Sequence, residues 1–259
     1  MKKNIFKNIF IALVFTFLYL PIIILVIYSF NASKMNVLFT TFTFSWYKTL
    51  FYNHDLLEAF FNTLIIAATS TIISTIIGTL SAVGLNKYNF FGKSLILKLI
   101  YIPIVIPEIV LGISLLSIYT LTKLELGMFT LILSHIAFSI PFVIVSVRTT
   151  ISKELNSIEE AAKDLGASPL KTFMLITLPI IKPGVVSGAT LALTLSLDDV
   201  VISYFTAGPG SNTLPLKIYS MIKTGITPDV NALSTLLLLA TIIILTVSTI
   251  TQSRKVVTK

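Results

Sequence analysis

Long apolar runs separated by short polar punctuation recur from one end of the chain to the other. A run of about twenty apolar residues crosses the hydrocarbon core of a bilayer as a helix. Six can be placed, at Ile9 to Phe30, Asn62 to Leu85, Leu95 to Leu121, Gly127 to Val147, Pro183 to Thr206 and Ala232 to Ile250. The pattern predicts an all-α membrane protein with six transmembrane helices. Prolines at 21, 103, 107 and 141 interrupt several of these spans, and the backbone groups they free must be satisfied by neighbouring protein. No inverted repeat or low-complexity tract stands out, so a transporter built from internal repeats is unsupported.

Composition agrees with the pattern. With 55% hydrophobic and 12% charged residues and a mean hydropathy of +0.94, the chain has too little polar surface to clothe a water-soluble globule. The absence of cysteine excludes a disulfide framework, a thiolate metal site and a Cys nucleophile. Two histidines make a metal site unexpected. The formal charge of +8 is scattered through the segments between apolar runs, which argues against nucleic acid as a partner.

Those cations report orientation instead. Lys2, Lys3 and Lys7 precede the first run, which is too long for a signal-peptide core and lacks a small-residue cleavage site, so a retained first span is expected. Fourteen of the nineteen Lys and Arg residues fall on the side of the N-terminus, leaving Lys34, Lys48, Lys123, Lys217 and Lys223 opposite. By the positive-inside rule both termini are cytoplasmic. The outer segment from Ala207 to Asn231 holds Gly208, Pro209, Gly210, Pro215, Gly225 and Pro228, which predict irregular structure.

The longest cytoplasmic segment, Arg148 to Lys182, reads Glu160-Ala161-Ala162, three residues, Gly166, nine residues, then Ile176-Thr177-Leu178-Pro179. Ser157 to Leu165 is a helix former with acids at its start, which suit the helix dipole. Gly166 supplies a left-handed or tight connection, and Pro169 suits the first turn of a second helix running toward Leu178. Two short helices bent at a glycine make a compact knob. The spacing EAA-x3-G-x9-I-x-LP resembles the signature of the membrane subunits of type I ABC importers. That resemblance implies the six-helix transmembrane domain of these importers, with Glu160, Ala161, Ala162, Gly166, Ile176, Leu178 and Pro179 seated in a cleft of an ATPase and transmitting its closure. A lone EAA triplet would be read as an ordinary interfacial loop. The chain has no G-x-x-x-x-G-K-[ST] phosphate loop, so it is expected to be no enzyme and to carry no cofactor, with Mg-ATP held by partner subunits.

Three carboxylates, Glu108, Asp198 and Asp199, fall inside expected spans, where each costs roughly 3 kcal/mol at a helix centre on insertion scales. The stretches Leu99 to Leu121, Gly127 to Val147 and Pro183 to Thr206 contain no Lys or Arg, and His135 is the one basic candidate. The cationic partner is therefore expected to be the solute or another subunit. On straight helices Glu108 would lie roughly 15 Å above Lys98, and Asp198 roughly 24 Å above Lys182. A linear polycation would meet the acids in succession. Pro107 places Glu108 in the first turn of a restarted helix. Adjacent residues point about 100° apart, so Asp198 and Asp199 cannot both face one pore on a regular helix. Ser196 shares a face with Asp199 and offers a hydroxyl to an amine, or bonds back to its own helix. Trp46, the single tryptophan, is by default an anchor at the headgroup level, or else a cation-π partner for an incoming amine. His54 and His135 read as polar structural residues.

Further stretches extend the resemblance: Leu195-Ser196-Leu197-Asp198-Asp199-Val200-Val201, Gly208-Pro209, Leu214 to Met221, Pro228 to Ala232, and Tyr19-Leu20-Pro21 to Phe30-Asn31. They look like the second permease subunit of spermidine/putrescine importers, which carries Asp where this chain has Glu108. The resemblance implies a heterodimer with a sister permease, two ATPase subunits and an extracytoplasmic polyamine-binding protein, in the cytoplasmic membrane. On this reading residues 1–59 are the first helix and outer loop. Residues 60–250 are the importer domain, with its coupling loop at 150–180, and residues 251–259 are a cytoplasmic tail. An importer of another solute is the nearest rival, although acids without bases disfavour an anion. An ion-coupled transporter leaves the loop unexplained, and an intramembrane enzyme lacks H-E-x-x-H and G-x-S-x-G.

Overall fold

The computed structural model describes residues 2–33, 38–152, 154–224, 228–239 and 242. Helices make up nearly all of its regular structure. They are α1 (Lys2–Tyr28), α2 (Ser45–Tyr52), α3 (His54–Lys87), α4 (Lys93–Leu99), α5 (Ile102–Val105), α6 (Glu108–Leu121), α7 (Met128–Arg148), α8 (Glu154–Asp164), α9 (Pro169–Thr172), α10 (Leu178–Asp198), α11 (Val201–Thr206) and α12 (Leu214–Thr224), followed by α13 (Pro228–Leu239). A π-helical turn, Phe173–Thr177, joins α9 to α10.

Among the described residues four helices are long and apolar enough to cross a bilayer: Lys7–Tyr28 within α1, α3, α7, and the continuous stretch Pro169–Asp198. The expected third span is not one rod. Lys93–Val105 and α6 meet at 109°, as a broken span or a re-entrant turn. The cause is local: a residue before proline is pushed out of the helical region, and Ile106 and Pro107 are both extended, with ψ of 137° and 133°. The straight-helix height of Glu108 above Lys98 therefore does not hold, whereas α10 is continuous and keeps its part of the estimate. Of the expected sixth span, α13 covers the start; residues 240–241 and 243–250, the tail 251–259 and Gly225 lie outside the described residues.

The chain forms two compact units, Met1–Leu57 with Ile218–Lys259, and Glu58–Lys217. In the first, α1 is unburied along its whole apolar window, as befits a helix whose solvent is lipid or another subunit. Beyond it the chain doubles back through an isolated bridge between Asn31 and Phe42. The fully buried Asn31 side chain fastens this turn, donating to Leu38 O at 2.8 Å and accepting from Thr40 N at 2.9 Å.

In the second unit α7 and α10 pack along one another. Gly184, Gly188, Ala192 and Ser196 recur every fourth residue on α10 and are all buried, a small-residue stripe that lets two backbones approach without a hydrophobic drive from water. A Cβ at Gly188 would lie 3.1 Å from the Val143 Cα, and one at Gly78 of α3 would lie 2.6 Å from Val143 Cγ1. Ala82, Leu85, Val143, Ile144, Val147, Leu155 and Ile181 fill the core at the α8 end of these helices. At the other end only residues 207–213 of the segment expected to be irregular are so, and they are firmly bonded; α12 and the start of α13 make helix of the rest of its described residues, Pro215 falling in the first turn of α12 and Pro228 at the first position of α13. Asn62 Nδ2 donates to Gly210 O and Asn212 O at 3.2 Å each, and Leu214 N donates to Thr63 Oγ1 at 2.7 Å.

Candidate functional site

The Arg148–Lys182 segment folds as its glycine and prolines dictate. Helix α8 ends in a Schellman turn: Ala167 N donates to Ala162 O at 3.0 Å and Gly166 N to Lys163 O at 2.8 Å. Gly166 sits at φ 83°, a left-handed conformation that glycine adopts at no steric cost. Ser168 then caps α9, accepting from Lys171 N at 3.4 Å, with Pro169 at the first helical position. The resulting knob leaves Glu160 and Ala161 exposed and Ala162, Ile176 and Leu178 half-buried. Leu165, Leu170 and Leu175 are exposed by 90%, 71% and 73% and give the knob an apolar surface.

Sequence reasoning missed what holds this knob down. Glu159, the residue before the Glu-Ala-Ala triplet, turns inward and is buried. Its carboxylate accepts from Lys87 Nζ, at the end of α3, at 2.6 Å, and from the Thr177 hydroxyl in the π-helical turn. Burial pushes the Glu159 carboxyl up, but the Lys87 and Thr177 hydrogen bonds with the Lys87 and Lys163 charges outweigh it and hold the pKa below the ordinary glutamate range. One carboxylate thus joins α3, α8 and the turn that leads into α10. The signal available in sequence was the 3.6-residue period of α8, which puts Leu155 and Glu159 on one face, both buried.

The acids inside the expected spans separate into two environments. Helix α10 stops at Asp198, and Asp199 is extended, at φ −64° and ψ 128°. The Asp199 carboxylate turns back on the following helix, where Oδ1 accepts from Ile202 N at 3.1 Å and Oδ2 from Ser203 N at 2.7 Å. His135 Nε2 of α7 lies 3.5 Å from the same Oδ2, with both side chains buried. His135 Nδ1 meets Ser196 Oγ at 2.7 Å and Nε2 meets Ser203 Oγ at 3.2 Å, while Ser196 Oγ reaches Ser70 Oγ of α3 at 3.2 Å. The basic partner for Asp199 is therefore within the chain. Ser196 faces His135 and Ser70 rather than an open channel.

Asp198 and Glu108 are exposed. Among the described residues neither has a cation within 4.0 Å. Glu108 opens α6 directly after Pro107. Gly112, one turn further, has no room for a Cβ because Phe205 of α11 lies 2.7 Å from its position. The short helix that follows the two aspartates thus packs on the helix that Glu108 begins. Trp46 belongs to the other unit, where its indole N–H donates to Asn31 O at 2.7 Å and closes the turn after α1. Its neighbour Tyr47 meets Ser29 Oγ at 2.6 Å. Among the described residues no cluster of three metal-ligating side chains occurs.

Residues 74–254 match the family described as the binding-protein-dependent transport system inner membrane component. The chain belongs to that family. The match takes in the Arg148–Lys182 segment, Glu108, His135 and both aspartates, and leaves out α1 and Trp46. The chain is 42% identical over 239 residues to the spermidine/putrescine transport system permease protein PotC of Escherichia coli (strain K12), covering 92% of this chain and 90% of that one. It is 38% identical over 248 residues to PotC of Haemophilus influenzae, covering 96% of each. It is 40% identical over 243 residues to the putrescine transport system permease protein PotI of E. coli, covering 91% and 86%. Among solved structures, a bacterial ABC transporter involved in import of the acidic polysaccharide alginate superposes with a TM-score of 0.71 at 17% identity over 95% of both chains. The alginate transporter in complex with its pentasaccharide-bound periplasmic protein gives 0.68 at 18% identity over 93% and 91%. Those superpositions establish the fold as that of an ABC importer permease. A subunit of this family is a transport component, not an enzyme, and its place is the membrane.

Proposed function

We propose that this permease subunit carries polyamines of the spermidine and putrescine class inward across the cytoplasmic membrane. It works with a sister permease, two ATPase subunits that hold Mg-ATP, and an extracytoplasmic binding protein. No cofactor is needed in this chain itself. The observation that carries the cargo class is Asp198: an exposed carboxylate at the end of a membrane helix, in a stretch from Pro183 to Thr206 without Lys or Arg. A helix C-terminus leaves its last carbonyls unpaired and carries partial negative charge, so Asp198 and the end of α10 together favour an ammonium group. Glu108, at the elbow beside α11, supplies a second carboxylate. The names of the relatives in E. coli and H. influenzae support the same cargo. The exposed knob from Glu160 to Leu178 takes the ATPase cleft, and Glu159 fastens it to α3 and α10. Six spans with both termini in the cytoplasm follow from the apolar runs and the lysine bias.

Vesicles containing the purified complex, with the binding protein outside, test this directly. ATP inside the complex's ATPase-facing compartment should drive uptake of labelled spermidine at least tenfold over the nucleotide-free level. Uptake unchanged by ATP, or no uptake of either amine, rejects the reading.

A further inference from the structure

Asp198 and Asp199 are neighbours in sequence, but the structure gives them opposite tasks. We infer that Asp199 is a positioning residue rather than a cargo ligand. With His135 it forms a buried latch that fixes the break between α10 and α11 and so holds Asp198 at the open end of α10. The inference rests on the polyamine reading above and deepens it.

Three observations carry it. First, the Asp199 carboxylate already accepts two backbone N–H groups of α11, at 3.1 and 2.7 Å, and lies 3.5 Å from His135 Nε2. Its side chain is only 3% exposed, so a cargo ammonium has neither a path to it nor a free face to meet. Second, the histidine is tied on both sides. A carboxylate only accepts, so in the neutral ring Nε2 carries the proton and Nδ1 accepts from the Ser196 hydroxyl, at 2.7 Å. Ser196 in turn lies 3.2 Å from Ser70 of α3. The chain of contacts crosses α3, α7, α10 and α11 and leaves no ring nitrogen without a partner. Third, in a medium without water each of these groups would be costly alone, so the set forms together or not at all. Asp198 takes no part in it.

The geometry separates the two aspartates by substitution. The single oxygen of an asparagine can take the place of Oδ2 and accept from Ser203 N, while its amide nitrogen gives up the bond from Ile202 N, so Asp199→Asn keeps one of the latch's two backbone bonds, whereas Asp199→Ala removes both. At position 198 the charge itself is the function, so Asp198→Asn fails where Asp199→Asn survives. In the reconstituted complex, Asp199→Asn should keep at least half of spermidine uptake. Asp199→Ala and His135→Leu should each lose tenfold or more, with the spermidine-to-putrescine ratio unchanged. Asp198→Asn should lose tenfold or more and lower that ratio, because the trivalent amine depends more on charge. Asp199→Asn as damaging as Asp199→Ala, with a ratio shifted as in Asp198→Asn, overturns the latch and makes Asp199 a cargo ligand. If the Ala or Leu variants do not assemble, the comparison of the two asparagine variants decides alone. A readout independent of cargo separates this inference from the polyamine reading. The thermal shift of the Asp199→Asn, His135→Gln double variant should be smaller than the sum of its single shifts, and additive shifts would reject the latch even in a complex that imports neither amine.

Discussion

Glu159 shows what one side chain contributes. Its depressed pKa means that the folded state binds its proton less readily than the unfolded chain does. The stabilisation is therefore complete above the ordinary glutamate value of about 4.3 and is lost as the pH falls through the lowered one. Lys87→Ala leaves the buried carboxylate with the Thr177 hydroxyl as its remaining side-chain donor, at a cost of about 1 to 3 kcal/mol. The purified complex should melt earlier than wild type at neutral pH, and the gap should close in acid. A gap that persists at low pH would show that the lysine acts through packing. The paired exchange Lys87→Glu with Glu159→Lys should recover part of the lost uptake that either change alone abolishes. The inward face of Glu159 was legible from the period of α8, but its pairing with Lys87 was not, because 72 positions separate the two and only the meeting of α3 with α8 joins them. The same holds for His135 and Asp199. Their residue types marked them as unusual inside a span, but the break after Asp198, which turns the carboxylate inward, is a tertiary arrangement of α7, α10 and α11.

Elements were far more legible where local chemistry determines them. The knob followed from Gly166 and Pro169 because a left-handed turn and a helix start each need little beyond their own residue. Since nothing lies within 4 Å of a Cβ built at Gly166, space does not limit substitution there and backbone conformation does. Asparagine tolerates the left-handed region better than other residues, while alanine costs about 1 kcal/mol and valine more. ATP-driven uptake should fall in the order Gly166→Asn, Gly166→Ala, Gly166→Val, with assembly preserved; equal activity across the three would show that the turn is not needed in this form. Gly188 is the opposite case. Its backbone is ordinary helix, but even a Cβ would lie 3.1 Å from the Val143 Cα and 3.4 Å from the Ser146 Cβ, so the larger Gly188→Leu should cost about 1 to 3 kcal/mol of overpacking and reduce the yield of assembled complex. The bend between α5 and α6 was half legible: Pro103 and Pro107 announced an interruption, but nothing in the local sequence specified 109°.

At the scale of the whole molecule, α10 makes a decisive ruler. Its 21 residues rise roughly 30 Å, the thickness of the hydrocarbon core, so the knob before it and the glycine-rich segment after it must face opposite sides of the membrane. From the excess of Lys and Arg on the knob's side, the positive-inside rule predicts that this side is the cytoplasmic one. The chain has no cysteine, so a single introduced thiol reports its side without background. Sequence alone would choose Ser211 as the outer probe, but Ser211 is 2% exposed and its hydroxyl is bonded to Gly208. Asn212 beside it is exposed, and only its backbone carbonyl serves the Asn62 contact, so its side chain is dispensable. On the knob, Ser157 is exposed on α8. An impermeant thiol reagent added to intact cells, with any outer envelope made permeable, should label Asn212→Cys and leave Ser157→Cys untouched until the cytoplasmic membrane is opened. The reverse pattern would put the knob outside, beyond the reach of any cytoplasmic ATPase, and would overturn the orientation and the proposed transmission together.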